Sequence, residues 1–216
     1  MSKRLNIQPS VGSPTEFDSD VAPREVTITH LEMLQPPQAP SSPPHSTWRF
    51  ERAEHAGPEL ARWLYTVVGG PYRWYERLSW ERETWEAELA EQGSEIWLVS
   101  IDGTPAGYCQ LHCEVKGQPR ALRTETEILY FGLMQWAHGQ GAGRAFLEFM
   151  VRQAWTVHER HELPPVSRVW VHTCDLDGAY ALPNYLARGF QICERETHQE
   201  VVLKQPLGSW EAMFSY

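Results

Sequence analysis

The stretch EILYFGLMQWAHGQGAGRAFLEFMVR, residues 127–152, decides the fold of this chain. Its apolar first part, 127–134, predicts a strand, and the spacing of large apolar side chains after Arg144 predicts a helix. Glycines fill the loop between them and let a ligand approach the backbone closely. Because unpaired amides and the helix dipole meet at a helix N-terminus, this arrangement is typical of sites that bind anionic phosphate.

Composition limits the classes of partner. The chain has 216 residues, enough for one domain with a sizeable core, and 28 acidic against 19 basic residues give a formal net charge of −9. That balance disfavours nucleic acid, because contacts to phosphates need clustered lysine and arginine. No apolar run approaches the roughly 20 residues that span a bilayer, and no apolar signal core follows the basic N-terminus. We therefore expect a cytoplasmic protein without a membrane partner.

The four cysteines are scattered along the chain and do not have the spacing of a disulfide framework. Cys109 and Cys113 lie on either side of His112, but this spacing matches no common zinc pattern and falls in a predicted strand. We expect reduced thiols and no metal site.

The order of segments predicts a single domain, 24–216, behind a flexible tail. Residues 1–23 are rich in Ser, Pro, Gly and Asp and cannot bury enough apolar surface to fold. Dense prolines predict an extended connector at 35–46. Strands alternate with helices in the rest of the chain, which indicates an α/β or mixed α+β domain. The strands are predicted at 26–31, 48–52, 96–101, 104–114, 125–134, 167–174 and 190–203, and the helices at 58–68, 74–91, 139–159 and 178–188, with Ser79 as an N-cap.

Seven Trp and Tyr residues lie between positions 63 and 85. Such residues can pack a core, or they can line a pocket or a mobile lid, because each offers a flat apolar wall with one polar tip. Both interpretations are open from the sequence. If they line a pocket, Trp74 and Tyr75, together with Tyr130 from the central strand, are candidate substrate-binding residues.

Two motifs carry a resemblance to a known family. The loop at 138–143 lacks the glycine spacing of dinucleotide-binding folds and of nucleoside-triphosphate loops. It resembles the R/Q-x-x-G-x-G/A signature of the GNAT superfamily of N-acetyltransferases, with Gly141 and Gly143 at the glycine positions and His138 where Arg or Gln is usual. The segment NYLARGF, residues 184–190, is similar to the superfamily's late F-Y-E-K-L-G-F segment. The resemblance covers about residues 25–203 and points to a bacterial subgroup with uncharacterised substrates.

The resemblance implies a GNAT fold, with a mixed, mostly antiparallel sheet of about six or seven strands flanked by about four helices. It implies acetyl-coenzyme A as cosubstrate, no metal, and direct transfer of the acetyl group to a primary amine of a small molecule or peptide. A monomer or homodimer is expected. A family asparagine that contacts the coenzyme falls on Gly178, which cannot supply that contact. The coenzyme-binding positions of the family match Leu133, Met134, His138, Gly139, Gln140, Gly141, Ala142, Gly143 and Arg144.

The resemblance also implies catalytic roles. Tyr185 matches the family's tyrosine general acid near the coenzyme sulfur, with a packing role as the alternative. Glu127, 14 residues before Gly141, matches the catalytic glutamate of the histone-acetyltransferase branch, with ordered water as the alternative base. The oxyanion donor is expected to be a backbone amide near Met134. His112 and His172 are expected to be structural, and Asp175 and Asp177 are expected to cap the following helix.

Two questions about function stay open at this stage. His138 and Gly178 depart from the family pattern, which leaves a non-catalytic acyl-coenzyme A-binding regulatory module as the alternative to an enzyme. The aromatic residues between 63 and 85 favour an apolar or aromatic acceptor amine, whereas the acidic surface favours a cationic one.

Overall fold

The computed structural model describes residues 20–38 and 45–215, so the predicted tail at 1–19 and the centre of the proline-rich connector, 39–44, lie outside the described residues. The first strand starts at Val21, within the last part of the predicted tail. In chain order the described elements are β1 (Val21–Met33), β2 (Trp48–Arg52), α1 (Pro58–Gly69), α2 (Arg82–Leu89), β3 (Glu95–Ile101), β4 (Thr104–Lys116), β5 (Arg123–Leu133), α3 (Ala142–Trp155), β6 (Val166–Cys174), α4 (Ala181–Ala187), β7 (Gln191–Leu203) and α5 (Ser209–Ala212).

The seven strands form one sheet in the order β2-β3-β4-β5-β6-β1-β7. Only β5 and β6 run parallel, and all other neighbours are antiparallel. β1 therefore lies between β6 and β7, although it comes first in the chain. The predicted class, a mixed and mostly antiparallel sheet flanked by helices, is confirmed.

The sheet splits at its centre. β5 and β6 pair only from Thr124 to Glu127 on one strand and from Val166 to Trp170 on the other. Beyond these residues the two strands separate and leave a cleft. On the β4 side, Gln110 pairs with Tyr130 and Leu111 with Ile128, so that the intervening residue of β5 forms a β-bulge.

Two buried clusters fill the two sides of the sheet. The side that carries α3 and α4, called here the α3 face, buries Phe146, Leu147 and Met150 together with Ile128. The side that carries α1 and α2, called the α1 face, buries a second cluster, with which Tyr130 packs. Ile128 and Tyr130 would share one face in a regular strand, and the bulge sends them to opposite faces.

Glu95, at the start of β3, ties the outer sheet to the turn after α3. Its carboxylate is buried and accepts hydrogen bonds from Arg52, Arg160 and Trp97 at 2.8–2.9 Å. Burial alone raises the pKa of Glu95, but hydrogen bonds from Arg160 and Trp97, the charge of Arg160 and the hydrogen bond from Arg52 outweigh it and lower that pKa to about 2. The carboxylate therefore stays ionised at neutral pH and stabilises the fold.

The second helix is shorter than predicted. We predicted a helix over 74–91 with Ser79 as its N-cap, but α2 begins only after the N-cap Glu81, and 74–81 forms turns. The physical reason lies in tertiary packing. Arg73 takes a left-handed φ of 62° and ends the short 3-10 turn that follows α1. The turns that follow bring Arg77 into the buried space between α1 and the sheet.

Candidate active site

The loop between β5 and α3 is built on two glycines with left-handed backbone. Gly139 and Gly141 have φ values of 75° and 84°, a region that L side chains rarely adopt. A Cβ at Gly139 would meet no atom within 4 Å, so the outer surface of the loop is open. Nε2 of His138 lies 3.0 Å from the backbone oxygen of Leu133, which fastens the loop to the end of β5. The loop is therefore anchored on one side and accessible on the other.

Backbone donors collect at this loop. Among the described residues, the amides of 139–144 donate no hydrogen bond to a backbone acceptor, and the first helical bond of α3 runs from Ala145 to Gly141 at 3.3 Å. Six consecutive amides thus lie at the positive end of the α3 dipole. Orphaned donors of this kind suit a diphosphate. The side chains of Gln140 and Arg144 bind protein groups, the Trp136 carbonyl and Glu148, so the backbone is the available donor set.

The end of β5 lies between this loop and the cleft. The Met134 amide donates to the Ala106 carbonyl at 2.8 Å, and the Leu133 carbonyl faces His138 at 3.0 Å. The Met134 amide is therefore engaged with β4.

Tyr185 lies on α4 and covers the gap between β5 and β6 from the α3 face. The side chain is buried, and its ring packs 6.4 Å from the Phe131 ring and 6.0 Å from the Phe190 ring. Burial, and then the nearby charge of Asp177, raises the pKa of the Tyr185 hydroxyl far above its usual value. The hydroxyl therefore keeps its proton at neutral pH, as a proton donor must.

Glu127 is the last residue of β5 that pairs with β6, so it lies at the narrow end of the cleft. Glu127 stands directly opposite His112 of β4, so the two side chains lie on the same face of the sheet. The His112 side chain contacts Glu91, just after α2, so this is the α1 face. The Glu127 carboxylate is buried, and Oε1 lies 3.0 Å from Nδ1 of His172 on β6. Tyr185 and Glu127 therefore flank the cleft from opposite faces of the sheet.

The three residues predicted to bind substrate are held by protein contacts. The Trp74 ring packs 5.0 Å from the Tyr130 ring, and Trp74 Nε1 donates to Asp177 at 3.4 Å. The Tyr75 hydroxyl donates to the Gly70 carbonyl at 3.0 Å and accepts from the Leu207 amide at 2.7 Å. Tyr75 thus fastens the C-terminal segment to α1.

Two members of the aromatic set between 63 and 85 are buried in the core, and four more, Trp63, Trp74, Tyr75 and Trp80, are partly buried and pack against it. Tyr65 and Trp85 are each only 2 % exposed and pack against each other at 5.8 Å. The guanidinium of Arg77 lies 4.6 Å from the Tyr130 ring and pairs with Glu88. The core interpretation therefore applies to these residues.

The turns after α1 bridge the open side of the cleft. Trp74 reaches Asp177, and the Tyr72 ring lies 3.3 Å from where a Cβ of Gly178 would be. The absence of a side chain at Gly178 therefore leaves room for the Tyr72 ring. These contacts close the α1 face of the cleft at its wide end.

The predicted helix caps after β6 are wrong. The N-cap of α4 is Tyr180, without a side-chain hydrogen bond. Asp177 instead accepts from the Thr173 hydroxyl at 2.6 Å, and Asp175 accepts from the Thr27 amide at 3.4 Å. The carboxylates face back to β6 and β1 because the loop makes an extra turn before α4 begins, and they hold that loop to the sheet.

Sequence reasoning missed two features of this site, the contact between His172 and Glu127 and the contact between Trp74 and Asp177. Each joins segments about 45 or about 100 positions apart, and no local pattern encodes such a pairing. Within 20–38 and 45–215, no group of three or more His, Cys, Asp or Glu side chains could hold a metal ion. No helix of that part of the chain is long and apolar enough to cross a bilayer.

No protein-family model and no curated protein matches this chain. Solved structures do. A tandem GNAT protein from the clavulanic acid biosynthesis pathway matches with a TM-score of 0.57 and 15% identity, over 94% of this chain and 62% of its own. An aminoglycoside acetyltransferase from an uncultured soil metagenomic sample matches with a TM-score of 0.51 and 17% identity, over 73% of this chain and 97% of its own. A GCN5-related N-acetyltransferase from Sphaerobacter thermophilus matches with a TM-score of 0.46 and 18% identity, over 89% of this chain and 56% of its own.

The chain has the fold of the GNAT superfamily of N-acetyltransferases, and the resemblance carried by 138–143 and 184–190 is confirmed at the level of the fold. It spans less than two thirds of the length of some of the structures it matches.

Proposed function

We propose that the protein is an N-acyltransferase that moves an acetyl group from acetyl-coenzyme A to a primary amine of a small molecule or peptide by direct transfer. The observation that carries this proposal is the arrangement around the end of β5, where β5 and β6 separate. The six unpaired amides of 139–144 follow that strand end, and the Tyr185 ring packs against Phe131 of the same strand. A phosphate-binding loop and a buried proton donor near one strand end are what a transfer from a coenzyme thioester requires.

Different residues bind the coenzyme and transfer protons in this reaction. Backbone amides of the glycine loop hold the diphosphate, and the edge of β5 that has separated from β6 is available to the coenzyme arm. The thioester supplies an activated acetyl group. Tyr185 gives its hydroxyl proton to the departing thiolate, and Glu127 or an ordered water accepts the proton of the amine. The protein acts in the cytoplasm as a monomer or homodimer, without a metal and without a nucleic-acid or membrane partner.

The acceptor reaches the thioester at the narrow end of the cleft, where Glu127 lies on the α1 face, because the contacts of Tyr72 and Trp74 close that face only at the wide end. Because much of the aromatic set between 63 and 85 is core, it gives little support to an apolar amine. The formal net charge of −9 supports a cationic amine. One of the matched structures is an aminoglycoside acetyltransferase, which supports the same direction.

Two measurements test the proposal. Isothermal titration calorimetry should detect acetyl-coenzyme A binding, and a thiol-release assay with mono-, di- and polyamines should detect turnover. The regulatory module is favoured by one contact, Trp74 with Asp177, which closes the α1 face. Coenzyme binding without thiol release for any amine would favour the module, and no binding at millimolar coenzyme would overturn both functions.

A further inference from the structure

Glu127 and His172 form a carboxylate–imidazole pair where β5 and β6 separate. Oε1 of Glu127 lies 3.0 Å from Nδ1 of His172, and the two side chains are 8% and 39% exposed. A buried carboxylate that faces Nδ1 selects the imidazole tautomer with its proton on Nδ1 and its lone pair on Nε2. The basic nitrogen is then on the more exposed side of the pair.

We propose that His172 is the general base of the acyl transfer and that Glu127 is the positioning residue that orients it. The inference rests on the function proposed above. It assigns the proton-accepting role to a histidine whose place on a strand favours a structural role. Glu127 keeps a role in the site, but it acts through His172.

The reaction balances with these groups alone. The amine nitrogen bonds to the thioester carbon, and Nε2 of His172 takes the proton that this nitrogen loses. The carbon–sulfur bond breaks, and Tyr185 donates its hydroxyl proton to the thiolate. The imidazolium then releases its proton to solvent, Tyr185 regains one from solvent, and both groups return to their starting states.

Accessibility and chemistry favour His172 over Glu127 as the base. Oε1 of Glu127 already bonds the imidazole, and its carboxylate is buried against the last pair of the β5–β6 ladder. An imidazole ordinarily titrates near neutral pH, whereas a carboxylate titrates more than about two units lower, and a base works best when its pKa lies near the operating pH.

The surroundings of His172 contain charges of both signs. His30 of β1 packs 5.9 Å from its ring and bonds Glu196 of β7 at 3.0 Å, and Trp170 packs 6.1 Å away on the same strand. Arg168 is held by Glu32 and Glu125 at 2.6 and 2.9 Å. The groups that face His172 include Glu127, His30 and Trp170, with Glu196 behind His30.

His172→Gln tests the assignment, and His112→Gln is a matched control. His112 forms a similar imidazole–carboxylate pair with Glu91 at 3.1 Å, with side chains 31% and 52% exposed, on the same face of the sheet but on β4, which β5 separates from β6. We expect His172→Gln to lower kcat about 100-fold or more, to remove the acidic limb of the pH–rate profile and to leave the KM for acetyl-coenzyme A unchanged. His112→Gln should behave as the wild type.

Glu127→Gln supplies a second readout that a structural role would not change. Loss of the carboxylate removes a group that stabilises the imidazolium. The acidic limb of the pH–rate profile should therefore remain present in Glu127→Gln but move to lower pH. The double variant should be no slower than His172→Gln, because the two residues act as one unit. If circular dichroism shows that His172→Gln does not fold, the assignment is tested by the shift of the acidic limb of the pH–rate profile between the wild type and Glu127→Gln.

The outcomes separate this inference from the proposed function. Thiol release by the wild type, with an unchanged rate and profile in His172→Gln, overturns only the role of His172. A severe loss in Glu127→Gln without any effect of His172→Gln assigns the base to Glu127 instead. A wild type that releases no thiol with any amine overturns the proposed function and this inference with it.

Discussion

Replacement of Gly139 by alanine tests whether the loop before α3 holds the coenzyme through its backbone. Gly139 has a φ of 75°, and a Cβ there would meet no atom within 4 Å. The substitution therefore introduces no clash, and its cost is the left-handed backbone, about 1–2 kcal/mol for an L residue. The loop can relieve that cost only if it turns, which redirects the amides of 139–144.

The expected result is a weaker Kd for acetyl-coenzyme A, by about 5- to 30-fold, since about 1.4 kcal/mol corresponds to a factor of ten. Isothermal titration calorimetry measures it directly. Gly103 is the matched control, because its φ is 79° and a Cβ there also meets no atom within 4 Å, but it lies in the turn between β3 and β4. Gly103→Ala should lose similar stability in urea and keep the wild-type Kd.

Two results would refute this reasoning. The same Kd in wild type, Gly139→Ala and Gly103→Ala would mean that the loop backbone does not bind the coenzyme. An equal loss of affinity in both variants would mean that the effect comes from general destabilisation and not from the loop.

Two further predictions concern the site and the stability of the sheet. Tyr185→Phe should lower kcat at least about tenfold with little change in the KM for coenzyme, because the phenyl ring packs as before but carries no proton to donate; unchanged thiol release would return Tyr185 to a packing role. Glu95→Gln should lower the free energy of unfolding by about 3 kcal/mol at pH 7, from a pKa of about 2 in the folded chain against 4.5 unfolded. Because the folded pKa is the lower one, this contribution is complete above pH 4.5 and shrinks as the pH falls towards 2, so urea titrations of the two proteins should converge there. Glu54→Gln is the control, since its carboxylate pairs with Arg52 but is 60% exposed and should contribute under about 1 kcal/mol; an equal loss in both variants would contradict the role given to Glu95.

The sequence predicted the features that depend on neighbouring residues. The turn Asp102–Gly103 is present between β3 and β4, with φ values of 50° and 79°, because both positions of such a turn require left-handed backbone. The helix that starts at Pro58 begins where it was predicted, and α3 lies within the predicted range 139–159 but covers only Ala142–Trp155. These features are determined locally, by glycine, by proline and by the spacing of apolar side chains.

The parts that depend on distant contacts could not be predicted. Nothing near Val26 indicates that its strand lies between the sixth and seventh strands, because strand order is set by pairing across the whole chain. The helix predicted at 74–81 does not form, because the turns in this segment place Arg77 against the rings of Tyr130 and Trp80. The partner of Glu127 likewise depends on the register between β5 and β6, which the sequence pattern leaves undetermined.

The position of β1 in the sheet has a consequence for how the chain folds during its synthesis. Met33 pairs with Val169, 136 positions later, and Val21 pairs with Leu203, 182 positions later. β1 therefore leaves the ribosome before every other described strand and meets its partners only after they have been synthesised, so the part of the sheet formed by β6, β1 and β7 assembles late and slowly. In the described sheet β7 is joined only through β1. A truncated chain that starts after Met33 would therefore also lose the strand pairing that holds β7 in the sheet.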